Sequence, residues 1–174
     1  MTQSQDISAA LFTSINEIPA ADWNALTDGT PLLSHAFLSA LENTGCVGKG
    51  TGWNPRHLVV KRGGQLIGAM PLYLKSHSYG EYVFDWAWAD AYERSGLKYY
   101  PKFLSAIPFS PITSARLLTQ DNEVRGLMVE ALESVMHQHQ LSSAHVLVSR
   151  CSLCYAVRGC RLAGAGGRAV QVAQ

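Results

Sequence analysis

Residues Tyr73 to Pro111 read YLKSHSYGEYVFDWAWADAYERSGLKYYPKFLSAIPFSP, and the rest of the chain is best read outward from them. The stretch holds six of the seven Tyr and two of the four Trp, Trp86 and Trp88. Interleaved with the rings are Lys75, His77, Glu81, Asp85, Asp90, Glu93, Arg94, Lys98 and Lys102. A plain surface segment does not carry so many rings, and a core strand does not carry so many charges. Aromatic walls with a few placed polar groups are what ligand clefts are built from. An amphipathic strand and helix with rings turned to the core accounts for the same composition. Taken alone, the residues give an α/β domain with a candidate cleft and no chemistry.

The chain around this stretch has 174 residues, enough to bury a substantial core in one domain. A hydrophobic share of 47% against 16% charged places it among globular chains and away from disordered ones. The net charge of +1 gives no reason to expect DNA or other nucleic acid as a partner. The near-neutral total hides an asymmetry. Residues 1–149 are net −3, whereas residues 150–174 carry four Arg and no acid. The first basic residue is Lys49, so no signal peptide or Arg-rich transit segment is expected. No apolar run approaches the ~18 residues of a membrane span. The expected compartment is cytoplasmic, with reduced thiols.

Upstream, Leu11 to Ile18 is expected as a short edge strand. A helix follows Pro19, with Trp23 and Leu26 on one face, and Asp28-Gly29 and Pro31 stop it. Ser34 is placed to cap a helix through Asn43, with Gly45 past its end. The glycine-rich loop Gly45 to Trp53 invites a phosphate-loop reading. Asn43 stands where the Walker pattern needs Gly, and Gly50 where it needs Ser or Thr, so that reading is excluded. A loop delivering Trp53 to a cleft or core is the better one. His57–Lys61 and Gln65–Leu74 read as a hairpin turning at Arg62-Gly63-Gly64, and Pro71 interrupts the second strand.

Within the central stretch, a strand is expected near Tyr82–Phe84 and a helix from about Trp86 to Ser95, with Asp85 as its N-cap. Lys102 to Pro108 reads as a buried strand. Asn122 to Gln140 is the clearest element: Val124, Leu127, Met128, Ala131, Leu132, Val135 and Met136 keep helical spacing throughout. Its Met and Leu stripe is core. His145–Val148 reads as a neighbouring strand. From Arg150 the composition turns to Ala, Gly, Arg and Cys without apolar periodicity, and disorder is expected there. Cys151-x2-Cys154-x5-Cys160 lacks the spacing of a zinc site, so no metal is expected.

The run GEYVFDWAWADAYERSGLKYYPK carries a family resemblance, together with Pro71-Leu-Tyr-Leu-Lys75 before it and Pro108-Phe-Ser-Pro111 after it. Ser34-His35-Ala36-Phe37-Leu38, Leu41-Glu42 and Gly52-Trp53 fit it as well. Over about Trp23 to Val148 the chain resembles the FemAB-like group of GNAT-fold proteins, described as peptidoglycan biosynthesis or recognition proteins. The resemblance implies a GNAT-like α/β fold, a mixed sheet flanked by helices. It also implies an acyl or aminoacyl transferase acting on an amine, with a cell-wall precursor as a candidate acceptor. Acyl-CoA or aminoacyl-tRNA is the implied co-substrate, and no tightly bound cofactor is expected. Members of the group carry a second GNAT unit, missing here. The reading is therefore a truncated chain: residues 1–149 as the N-terminal unit, and 150–174 as an atypical basic tail read out of frame. Arg161-Leu-Ala-Gly164-Ala-Gly166 matches the GNAT pyrophosphate loop in letters, but no strand and helix flank it in the sequence.

Acyl transfer to an amine needs a group to take the ammonium proton and a donor for the developing oxyanion. Glu81, Asp85 and Asp90 are the candidate catalytic acids, because an apolar aromatic setting raises a carboxyl toward a useful range. Lys75, His77, Trp86, Trp88, Tyr92, Tyr99 and Lys102 are the candidate substrate contacts, with Tyr92 or Tyr99 as oxyanion donors. The competing reading makes Asp85 only a helix cap and Asp90–Arg94 a surface pair. Two other functions stay open: a glycan- or peptide-binding module without turnover, and an inactive fragment.

Overall fold

In a computed structural model, the described residues are 6–81, 85–147 and, as backbone, the strand 169–173. They form a mixed α/β structure of two sheets flanked by helices. The first sheet has the order β1-β3-β4 and is antiparallel throughout: β1 is Ile7–Phe12, β3 is His57–Arg62 and β4 is Gln65–Met70. The second runs β2-β5-β6-β7-β8, with β2 Trp53–Pro55, β5 Tyr73–Lys75, β6 Lys102–Ser105, β7 Ser143–Leu147 and β8 Ala169–Ala173. Its first three strands are antiparallel, and β6, β7 and β8 are parallel.

The two sheets share one long hairpin, broken where proline is. Gln65–Leu74 is not a single strand. It splits at Pro71-Leu72, so β4 stays with β3 while β5 pairs with β6. Proline cannot donate to a ladder, and the Pro71 carbonyl accepts instead from Ser105 Oγ at 2.8 Å. Neighbouring amides are spoken for: the Ala69 N–H donates to the Leu118 carbonyl and the Leu72 N–H to His57 Nδ1. The strand break therefore presents no open row of amides at these positions.

Alternation along β3 and β4 sorts the core into two layers. Leu58, Val60 and Met70 face helix α4 (Asn122–Gln138), meeting Val124, Met128 and Leu132. Val59 and Ala69 face the opposite way, onto Trp23 of α1 (Ala20–Leu26) and Leu38 of α2 (His35–Asn43). Each fully buried Leu, Val or Met of this kind contributes about 1.5–3 kcal/mol. Helix α4 approaches β4 closely at Gly68, where a Cβ would come within 2.8 Å of Val124 and 2.9 Å of Met128. Asp121 caps α4 by accepting from the Glu123 N–H at 2.8 Å.

Several boundaries differ from the sequence reading. The first strand lies earlier, at Ile7–Phe12, because Ser14 caps a short 3-10 turn over Ile15–Glu17 and ends extended pairing there. The strand after Tyr100 stops at Ser105. Helix α3, Trp86–Arg94, is present, but Asp85 makes no side-chain cap to it because its carboxylate is taken elsewhere. The strand expected at Tyr82–Phe84 lies outside the described residues, as do the Cys151–Cys160 and Arg161–Gly166 motifs. Of the tail from Arg150, only β8 is described, parallel to β7.

Candidate functional site

The central stretch closes around a buried cluster of two acids and two lysines. β5 carries Lys75 at its last residue and β6 carries Lys102 at its first, and the two are paired across the sheet. Both side chains are fully buried. Glu81 comes from the turn after β5 and Asp85 from the residue before α3. Lys102 Nζ donates to Glu81 Oε2 at 2.9 Å and also to Asp85 Oδ2. Lys75 Nζ lies 3.9 Å from Glu81 Oε1, donates to the Tyr79 carbonyl at 2.9 Å, and sits 3.8 Å above the Trp53 ring. Tyr99 and Tyr100 donate their hydroxyls to the two oxygens of Asp85, at 2.6 and 2.8 Å.

The environment separates the two acids. Burial raises the Glu81 carboxyl, and the pull of Lys102 does not fully offset it. Burial also works to raise Asp85, but bonds from Lys102, Tyr99 and Tyr100 outweigh it and hold the carboxyl below its ordinary range. Burial brings the Lys75 ammonium down to about 8, against the attraction of Glu81. The Tyr99 and Tyr100 phenols are pushed up, first by burial and then by Asp85. His145 on β7 stands beside the Tyr99 ring, 6.1 Å between centroids, and burial pushes it down to about 4, with Lys102 adding to the effect. Two buried atoms here have no hydrogen-bond partner among the described residues: Glu81 Oε1 and His145 Nε2. A small cavity of about 10 Å³ is lined by Glu81, Trp53 and Arg116 among others.

Glycine makes this assembly possible at two points. Gly52 has φ +76° and lies under the His77 ring, where a Cβ would come within 2.1 Å of it. Gly80, at φ +78°, sits against Phe109 and the Trp53 nitrogen. The glycine loop thus delivers Trp53 to the core, where it is buried and donates its Nε1–H to the Tyr79 carbonyl at 3.0 Å. Nothing in the sequence analysis placed Trp53 under Lys75.

Of the sequence candidates, the structure brings Glu81, Asp85, Lys75, Lys102 and Tyr99 together. It places Asp90 elsewhere, on the exposed face of α3 in an i, i+4 pair with Arg94 at 2.7 Å. Trp86 and Trp88 are 58% and 61% exposed on the same helix, and α3 buries no residue, so these rings do not wall the cluster. Tyr92 is half-buried and edges onto Tyr99. His77 packs against Tyr79 and accepts its N–H, which gives it a loop-shaping position. The hydroxyl of Tyr99 is committed to Asp85.

A family model, FemAB-like, described as peptidoglycan biosynthesis/recognition, matches residues 14–162. The chain belongs to the FemAB-like family. Membership connects it with peptidoglycan biosynthesis or recognition, and the matched span covers the whole buried cluster of this FemAB-like chain. No curated protein and no solved structure matches it. Among its described residues, no helix is long and apolar enough to cross a membrane, and no three His, Cys, Asp or Glu are grouped to hold a metal.

A second polar centre escaped the sequence reading. Glu42 of α2 accepts from Ser14 Oγ at 2.6 Å, from the Ile15 N–H, and from His57 Nε2 at 3.1 Å. Because the Leu72 N–H points at Nδ1, the Nε2 hydrogen faces Glu42. Burial raises the Glu42 carboxyl, yet these donors together hold it below its ordinary value. Separations of 15 to 28 residues left no local signal to find it by.

Proposed function

We propose that this FemAB-like chain is a GNAT-like unit that moves an acyl or aminoacyl group onto an amine of a cell-wall precursor, with Glu81 as the proton acceptor. The observation that carries the reading is Glu81 Oε1: a buried carboxylate oxygen without a hydrogen-bond partner among the described residues, on a carboxyl raised toward the working range. The amine nitrogen attacks the acyl carbon, and a C–N bond forms. The C–O or C–S bond to the donor then breaks, and the ammonium proton passes to Glu81 and on to the leaving group. The oxyanion role falls to Lys75, whose ammonium lies 3.9 Å from Glu81, since Tyr99 and Tyr100 are held by Asp85. Lys102, Asp85 and the two tyrosines position Glu81.

A second reading, recognition of a glycan or peptide without turnover, is favoured by two observations. The amides of Ala69 and Leu72 beside Pro71 are engaged, which leaves them unavailable to an acyl-CoA arm. The exposed rings of Trp86 and Trp88 suit stacking on sugars. Calorimetric titration of the full chain with acetyl-CoA, free CoA and a soluble muramyl pentapeptide separates the readings. The transferase reading expects saturable pentapeptide binding that Glu81→Gln retains while transfer is lost. Binding without transfer from any acyl or aminoacyl donor leaves recognition. No binding of any of the three defeats both.

A further inference from the structure

A cavity of about 500 Å³ opens between the end of α2, the glycine loop and β2, apart from the buried lysine–acid cluster. Its size suits a small ligand, but its lining is hydrophilic where drug-like pockets are apolar. Asn16, Asn43 and Asn54 line it, with Lys49 and Arg56; the Asn16 amide donates to Asn43 Oδ1 at 3.2 Å, that of Asn43 to Ser39 Oγ and that of Asn54 to the Leu74 carbonyl. Glu42 is the carboxylate in the wall, and its acceptor positions are filled by Ser14, Ile15 and His57, as described above. The two cations are not similarly satisfied. The Arg56 guanidinium donates to the neighbouring Pro55 carbonyl at 2.6 Å, and the ion pairs among the described residues include neither Arg56 nor Lys49. A wall whose carboxylate is already saturated and whose two cations have no ion pair among the described residues has a net demand for negative charge.

We propose that this groove binds a small hydrophilic ligand through a carboxylate or phosphate group. Arg56 and Lys49 take the anion, and the Asn54 carboxamide oxygen accepts from an amide or hydroxyl next to it. Arg56 is the stronger determinant, because a half-buried guanidinium offers a fixed fork of donors to a planar or tetrahedral oxyanion. Lys49, exposed on the glycine loop, adds charge that salt screens. The site is independent of whatever chemistry the buried cluster performs.

The test is isothermal titration of the full chain at low ionic strength with three probes: N-acetyl-dialanine with its free carboxylate, the same dipeptide as its C-terminal amide, and inorganic phosphate. Saturable binding of the free-acid peptide or of phosphate is expected, and which one binds identifies the source of the anion. Binding should weaken about ten-fold in Arg56→Gln, and by less in Lys49→Gln, whose exposed position leaves the fold intact. Added salt should weaken it further. The proposal is overturned if neither anion gives saturable heat, if the amide binds as tightly as the acid, or if the Lys49→Gln and folded Arg56→Gln proteins bind like the wild type.

Discussion

Replacing Lys102 by Met removes the cation that holds two buried acids together while keeping the length and apolar volume of the side chain. Glu81 and Asp85 then face each other in a site where both are almost fully buried, with Lys75, 3.9 Å from Glu81, as the remaining cation and the Tyr99 and Tyr100 hydroxyls on Asp85 to offset them. Breaking a buried pair by deleting one partner costs about 3–5 kcal/mol, because the remaining charge is stranded. For a domain of this size each kcal/mol moves the melting temperature by about 2–4 °C, so a fall of roughly 6–20 °C is expected. The sign of the pH dependence is specific. Without Lys102 the burial that already raises the Glu81 carboxyl loses its main opposing charge, so the Glu81 contribution is fully present below the unfolded value and is lost as pH rises. The deficit against wild type should be larger at pH 8 than at pH 5, read by thermal unfolding at both. The triple variant Glu81→Gln, Asp85→Asn, Lys102→Met should recover part of the loss, since both acids are neutral and the buried Lys75 ammonium is the charge left, still donating to the Tyr79 carbonyl. A Lys102→Met protein that melts with wild type at pH 8, or whose deficit ignores pH, refutes the buried-cluster account.

Other perturbations test separate parts of the structure. His145 has its folded pKa lowered from 6.5 to about 4, so the unfolded chain takes up the proton first and stability falls as pH drops through that window. Between pH 7 and pH 5 the loss is ~2 kcal/mol, and chemical denaturation of His145→Leu should show that part removed. Glu42→Ala strips the acceptor from Ser14, Ile15 and His57 at once, and ~2–4 kcal/mol of destabilisation is expected in the same assay at pH 7. In the wild type, the contribution from the lowered Glu42 pKa is present above the unfolded value near 4.5 and lost as pH falls through the folded one. Gly68→Val drives a side chain into Val124 and Met128 and should cost ~1–3 kcal/mol, measured by the denaturant midpoint.

How much of this was legible depended on range along the chain. Helix α4 was plain because its seven apolar positions repeat at helical spacing and its cap is two residues from the N–H it serves. The turn at Gly63-Gly64 and the break at Pro71 were equally local. The cluster was half legible. Composition flagged Glu81, Asp85, Lys75 and Lys102, but only the strand pairing of β5 with β6 shows that the two lysines stand side by side. Asp85 looked like a cap, and sequence could not show that two tyrosines and a lysine, 14 to 17 residues on, claim its carboxylate. Trp86 and Trp88 were read as substrate contacts, and local spacing could not show that their helix holds both rings exposed and away from the buried cluster. The Glu42–His57 contact joins α2 to β3 with no pattern in between. The β8 pairing came from a tail whose composition gave no periodic signal.

The most direct test of the central claim is a transfer assay read by mass spectrometry. The full chain is incubated with an amine-bearing muramyl pentapeptide and, in turn, acetyl-CoA and charged tRNAs. A new amide on the pentapeptide is expected from the wild type, with formation lowered at least ~100-fold in a folded Glu81→Gln protein that still binds the acceptor. Equal product from Glu81→Gln would contradict the role given to Glu81, and acceptor binding without product from any donor would make the chain a recognition module.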